Sequence, residues 1–232
     1  MALYAIGDLH LSFQADKPMD IWGGVWVDHE RQIVRNFAAE VKDEDTLVLV
    51  GDHSWGRDLS ECEEDMNFIR QLPGRKILTR GNHDMFWDSG KTRKLNELYN
   101  PDLYFLQNDF LTYRDYALVA TKGYTFEGRD TIEHCQKLIN REAQRLRIGL
   151  DLAVKAGYAK FIIFLHYPPT NILQEESVFT KIADEYHAEQ VVYAHCHGQA
   201  RFHDSIRGYY HDVKYSLVSG DCLSWHPQKI LD

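Results

Sequence analysis

The sequence predicts an α/β fold: a largely parallel central sheet, with later strands that either make that sheet mixed or form a second one. Three observations predict it. Short apolar, often β-branched runs recur along the 232 residues, helical patterns separate the early ones, and a hairpin with late strands breaks the alternation.

The first strand is expected at Leu3–Ile6, the second at Thr46–Val50 and the third at residues 76–79. Helical patterns over about 28–42, 59–72 and 90–99 follow them. A hairpin pairs 110–113 with 117–120 around "RDY". The longest helix is expected over 131–156, where Leu138, Ile139, Leu146, Leu150 and Val154 recur roughly at helical spacing and Gly157 stands as a C-terminal cap. Strands at 161–165 and Gln190–Tyr193 come next, and "YYHDVKYSLVSGD" holds one or two more.

The chain is 44% hydrophobic, enough for a sizeable core, and no Pro-, Gly- or Ser-rich linker divides it. A single domain over residues 1–232 is therefore expected. "MALYAIGDLH" lacks the basic and apolar regions of a signal peptide, and the longest apolar run, "KFIIFLHYPP", is too short to span a bilayer. Cys62, Cys135, Cys196 and Cys222 are widely spaced, which disfavours a zinc ribbon or disulfide scaffold and points to the cytoplasm. A formal charge of −9, without a Lys/Arg run, disfavours nucleic-acid polymers as partners.

The residues just past each strand are the informative feature. The five ends read Gly7-Asp8-Leu9-His10, Gly51-Asp52-His53, Gly81-Asn82-His83-Asp84, His166-Tyr167-Pro168-Pro169 and Ala194-His195-Cys196-His197-Gly198. Ligands of open α/β sheets bind beyond the carboxyl ends of the strands, so these ends converge on one place. Asp8, Asp52 and Asn82 offer hard oxygens; His10, His166, His195 and His197 offer imidazole nitrogens. Such a mixed set suits Mn, Fe or Zn more than Ca. Seven donors are too many for one tetrahedral ion and suit two ions sharing a carboxylate, about 3.5–4 Å apart, the arrangement that clamps an in-line displacement at phosphorus.

Taken singly, these residues have bland readings. Asp8 or Asp52 could cap a helix, Asn82 could serve a turn, and His166, His195 or His197 could simply end a strand. Their joint order favours the metal reading.

In order and spacing, "GDLH", "GDH", "GNHD", "LHYPP" and "AHCHG" resemble the motifs of the calcineurin-like metallophosphoesterases, and "IGDLHLSF", "KPMDIWGG" and "LPGRKILTRGNHD" resemble a group of uncharacterised bacterial predicted phosphohydrolases. The resemblance implies a four-layer sandwich of two mixed β-sheets flanked by helices. It implies one metal on Asp8, His10, Asp52 and His197, and a second on the bridging Asp52, Asn82, His166 and His195. His83 would be the general acid, oriented by Asp84. A hydroxide between two divalent or trivalent ions would attack a monoester, diester or pyrophosphate bond of a small phosphorylated molecule or nucleotide. One departure stands out: Ala194 occupies a family glycine, and a positive φ there would strain alanine by about 1 kcal/mol.

Other residues receive weaker roles. His53 is expected to point away from the ligands, because strand side chains alternate faces. Cys196 reads as a small buried hydrophobe. Trp55 and Trp87 are either packing aromatics or walls of a substrate pocket, and Arg80 either contacts phosphate or makes a structural ion pair. The aromatic, Gly-rich insert around Trp22 and Trp26 either folds over the site as a lid or packs on the sheet. A scaffold of this fold with weak catalysis is the alternative to an enzyme. An amidohydrolase is disfavoured, since no HxH ends the first strand.

Overall fold

The computed structural model describes residues 1–128 and 130–232. Strands β1 (Leu3–Ile6), β2 (Thr46–Val50), β3 (Arg75–Thr79) and β4 (Leu103–Leu106) pair in parallel, and β11 (Gln228–Leu231) adds to β1 antiparallel. The second sheet runs β5 (Asp109–Tyr113), β6 (Tyr116–Thr121), β7 (Lys160–Leu165), β8 (Gln190–Tyr193), β10 (Val213–Leu217), β9 (Gly208–Tyr210). Its four central strands are parallel, and hairpins place β5 and β9 antiparallel at the edges.

Alternating side chains divide three cores. Leu3, Ala5, Val48 and Val50 of the first sheet meet Leu118, Ala120, Ile162 and Phe164 of the second. On the outer face of the first sheet, Leu47 and Leu49 pack under α1 (His29–Glu40), α2 (Glu63–Gln71) and α3 (Thr92–Tyr99). On the outer face of the second, Val119 and Ile163 pack under α4 (Ile132–Lys155) and α5 (Val178–Glu185). The result is the α/β four-layer sandwich that the motifs imply. Strands covered on both faces need apolar residues at successive positions, hence their continuous runs.

The expected strands reappear within one residue at either end. Strands β4 and β11 and helices α5 and α6 (Gly198–His203) had no counterpart in the sequence reading. Each is four to eight residues long, too short for periodicity to register. The second helix starts at Glu63 rather than 59, because Asp58 accepts hydrogen bonds from the Ser60 and Glu61 backbone N–H groups and holds a separate turn.

Candidate metal centre

The carboxyl ends of β1, β2 and β3 meet those of β7 and β8 at one place. Backbone bonds lock the strand ends together: Asp8 N–H donates to Gly51 O (2.9 Å), His10 N–H to Asp52 O (2.9 Å) and Ala194 N–H to His166 O (3.2 Å). Asp8, His10, Asp52 and His195 all adopt left-handed backbone, with φ of 60°, 45°, 53° and 70°. Such strain in non-glycine residues persists where surrounding structure enforces it, and it clusters at functional sites. Gly81 is required by approach: a Cβ there would lie 2.0 Å from Asp52 Oδ1.

The seven expected donors come together as two groups. Asp8, His10 and His197 form one; Asp52, His166 and His195 form the other, with the donor atoms of each group within 4.8 Å of one another. Asn82 Oδ1 lies 2.8 Å from His166 Nε2 and joins the second. Asp52 Oδ2 faces both groups, at 3.8 Å from His10 Nε2 and 3.3 Å from His166 Nε2. Its other oxygen is already used, accepting from the His83 backbone N–H at 2.8 Å.

The outward nitrogens explain why the inward ones are available. His166 Nδ1 lies 3.1 Å from Val50 O, His197 Nδ1 3.0 Å from Asp221 Oδ1 and His195 Nε2 2.6 Å from Glu127 Oε1. A ring N–H donated outward leaves the opposite nitrogen's lone pair facing inward. Inside, His10 Nε2 faces His197 Nε2 at 3.2 Å, and His195 Nδ1 faces His166 Nε2 at 3.1 Å. Imidazole nitrogens turned toward one another, beside the fully buried Asp8 Oδ1 that no hydrogen bond satisfies, fit cations better than a hydrogen-bonded core. The residues present therefore fit two metal ions.

Electrostatics follow from burial. Burial pushes the Asp8 carboxyl up, against the pull of His197 and His166. Burial acts the same way on Asp52, but His166, His10 and His83 outweigh it and hold that carboxyl well below the ordinary range. Burial also lowers His10, His83 and His195. Asp52 and Asp8 overcome burial at His166, and Asp8 and Asp221 do so at His197, lifting each to about 9.

Several expectations are corrected by the geometry. Asp84 does not hydrogen-bond the His83 ring; its carboxylate accepts from the backbone N–H groups of Gly81 (2.7 Å), His53 (2.8 Å) and Asp52 (3.0 Å), and sits 3.0 Å from His53 Nδ1. It fixes the loops that carry Asp52 and Asn82. Trp87 is not a pocket wall: it is fully buried, edge-on to Phe105, with Nε1 donating to Thr92 Oγ1. Arg80 makes no ion pair among the described residues; its Nε donates to the Trp87 carbonyl. Ala194 is unstrained, because the left-handed residue is His195.

The tryptophans beside the centre divide. Trp55 stacks on His10 (4.9 Å between ring centroids) and packs on His83 (4.2 Å). In the insert, Trp26 is buried against His10, His197 and Trp225, whereas Trp22 is 71% exposed at the cavity rim. His53 points away, as expected, with Nε2 3.3 Å from Leu49 O. The sequence reading missed Glu127 and Asp221. For Asp221 a signal existed: "SGD" after β10 repeats the Gly-Asp that ends β1 and β2.

The chain matches the family described as calcineurin-like phosphoesterase over residues 1–199. No curated protein matches it significantly. Among solved structures, a protein of unknown function from Aquifex aeolicus (AQ665) is 16% identical, with 98% of this chain and 95% of that one covered and a TM-score of 0.48. The protein TT1561 of Thermus thermophilus is 11% identical, with 85% and 82% covered and a TM-score of 0.55. The second likeness is one of fold.

Proposed function

The chain belongs to the calcineurin-like phosphoesterase family, whose chemistry is metal-dependent phosphoester hydrolysis, and from that membership we propose a dinuclear hydrolase acting on a small phosphorylated molecule or nucleotide. Asp8, His10 and His197 would hold one ion, Asn82, His166 and His195 the other, and Asp52 would bridge them. The position of Asp52 Oδ2, facing both donor groups, is the observation that carries this reading. Two bound ions supply Lewis acidity toward phosphoryl oxygens and lower the pKa of water. The imidazole nitrogens favour Mn, Fe or Zn over Mg.

His83 would give a proton to the leaving oxygen. Its backbone N–H is tied to Asp52 and its ring rests on Trp55, so its position is fixed relative to the centre. The net charge of −9 supports a small substrate over a polyanion. No helix among the described residues is long and apolar enough to cross a membrane. The four free cysteines support a cytoplasmic compartment.

Metal analysis combined with a screen of phosphomonoesters, phosphodiesters and nucleotides tests the proposal. Two metal equivalents per chain are expected, with turnover lost on chelation and restored better by Mn²⁺ than by Mg²⁺. Asp52→Asn should lose both metal and activity. Full activity in metal-stripped protein would overturn the reading.

A further inference from the structure

We infer that the substrate is a small phosphodiester, with a planar ring on one substituent and hydroxyl groups on the other. This rests on the phosphoesterase reading above. The centre does not sit at the bottom of one pocket. It lies where two cavities meet, one of about 880 Å³ and one of about 380 Å³, and His83, His195 and His197 line both. Each volume falls within the ~300–1,000 Å³ typical of ligand pockets. Each lobe is thus large enough for a substituent of its own. A monoester has a single substituent and would fill only one.

The lobes differ in chemistry. The larger lobe adjoins His10 and Asp52 and is walled by Met19, Trp22, Trp26, Trp55 and Phe202. Flat apolar walls with one exposed indole at the rim suit a stacked ring. Asn82 and His195 mark the start of the smaller lobe, which Tyr124, Glu127, Asp130, Tyr167 and Arg201 line. Tyr124 and Tyr167 lie 5.1 Å apart, Tyr124 Oη donates to Asp130 at 3.2 Å, and the Arg201 guanidinium is 3.9 Å from Glu127. Carboxylates and phenols beside ring faces accept and donate hydrogen bonds to a hydroxylated group.

In the hydrolysis, a water oxygen bonds to phosphorus and one P–O ester bond breaks. The departing alcohol takes its proton from His83, leaving a monoester and an alcohol.

The test uses the full chain loaded with Mn²⁺. p-Nitrophenyl phosphate, bis(p-nitrophenyl) phosphate and the p-nitrophenyl ester of thymidine monophosphate share one leaving group. The nucleoside diester should exceed the monoester in kcat/KM by about tenfold or more. Tyr124→Ala and Trp22→Ala should each reduce that ratio at least about threefold. Calorimetry with the non-hydrolysable phosphonate analogues of the two esters should show the analogue of the nucleoside diester bound more tightly than that of p-nitrophenyl phosphate. Faster monoester turnover, with a ratio that neither variant moves, would overturn this inference and leave the phosphoesterase reading intact. Metal-loaded protein that hydrolyses none of the three would overturn both.

Discussion

Asp221 Oδ1 lies 3.0 Å from His197 Nδ1, and the same carboxylate accepts from the backbone N–H groups of Gly198 and Cys222. It is a positioning residue: it holds the imidazole with Nε2 toward His10 and Asp8. Asp221→Ala should weaken metal binding at that position by about 10–100-fold. Asp221→Asn should recover most of the loss, because its amide oxygen can still accept from Nδ1–H. Metal titration followed by calorimetry distinguishes the outcomes. Unchanged affinity in Asp221→Ala would reduce the contact to loop packing.

Asp84 is expected to act through structure. Its removal in Asp84→Ala leaves the buried N–H groups of Asp52, His53 and Gly81 without their acceptor, at about 1–3 kcal/mol each. A large fall in Tm, together with reduced metal content, should follow. Loss of turnover at unchanged Tm would instead return Asp84 to direct service of the His83 ring.

His83→Ala should keep metal stoichiometry and Tm close to those of the parent. Its kcat should fall by about 10²–10⁴, the range for a general acid. Because nitrophenolate leaves without help, the deficit should narrow for nitrophenyl esters and widen for alkyl esters. Metal loss in this variant would make His83 a ligand.

The two tryptophans at the larger lobe should separate kinetically. Trp22 is 71% exposed, so Trp22→Ala should shift stability within about ±0.5 kcal/mol while raising KM for ring-bearing substrates. Trp55 supports both His10 and His83, so Trp55→Ala should lower kcat as well. Steady-state kinetics on one nucleotide substrate compares them. Identical behaviour of the two variants would argue against a wall and a rim with different duties.

Asp45 offers a pH signature away from the centre. It accepts from the Ala2 backbone N–H at 2.5 Å and from that of Lys42 at 3.0 Å, and these bonds, led by Ala2, depress its pKa despite burial. A depressed folded-state pKa gives stability that is present above the unfolded value of about 3.9 and is lost as pH falls through the folded value. Asp45→Asn should therefore lower Tm at pH 7 and approach the parent's Tm in acid. A gap that persists unchanged to low pH would assign the effect to packing.

The sequence alone determined the α/β class and the convergence of five polar strand ends. Parallel strands buried on both faces are written as continuous apolar runs, and the register of those runs fixes which residues stand at their carboxyl ends. Hence Asp8, His10, Asp52, Asn82, His166, His195 and His197 could be read as one group before any geometry. Tertiary structure alone decided what surrounds them. Glu127 reaches His195 from a loop with no regular structure, across 68 residues of sequence, and Asp221 reaches His197 from the turn after β10. Trp55 and Trp87 both lie a few residues past a strand end, yet one packs on two imidazoles and the other lies in the core under α3. Strand periodicity and turn chemistry are local and leave a sequence trace. The direction of a side chain leaving a loop, and which distant segment it meets, depends on how the layers pack.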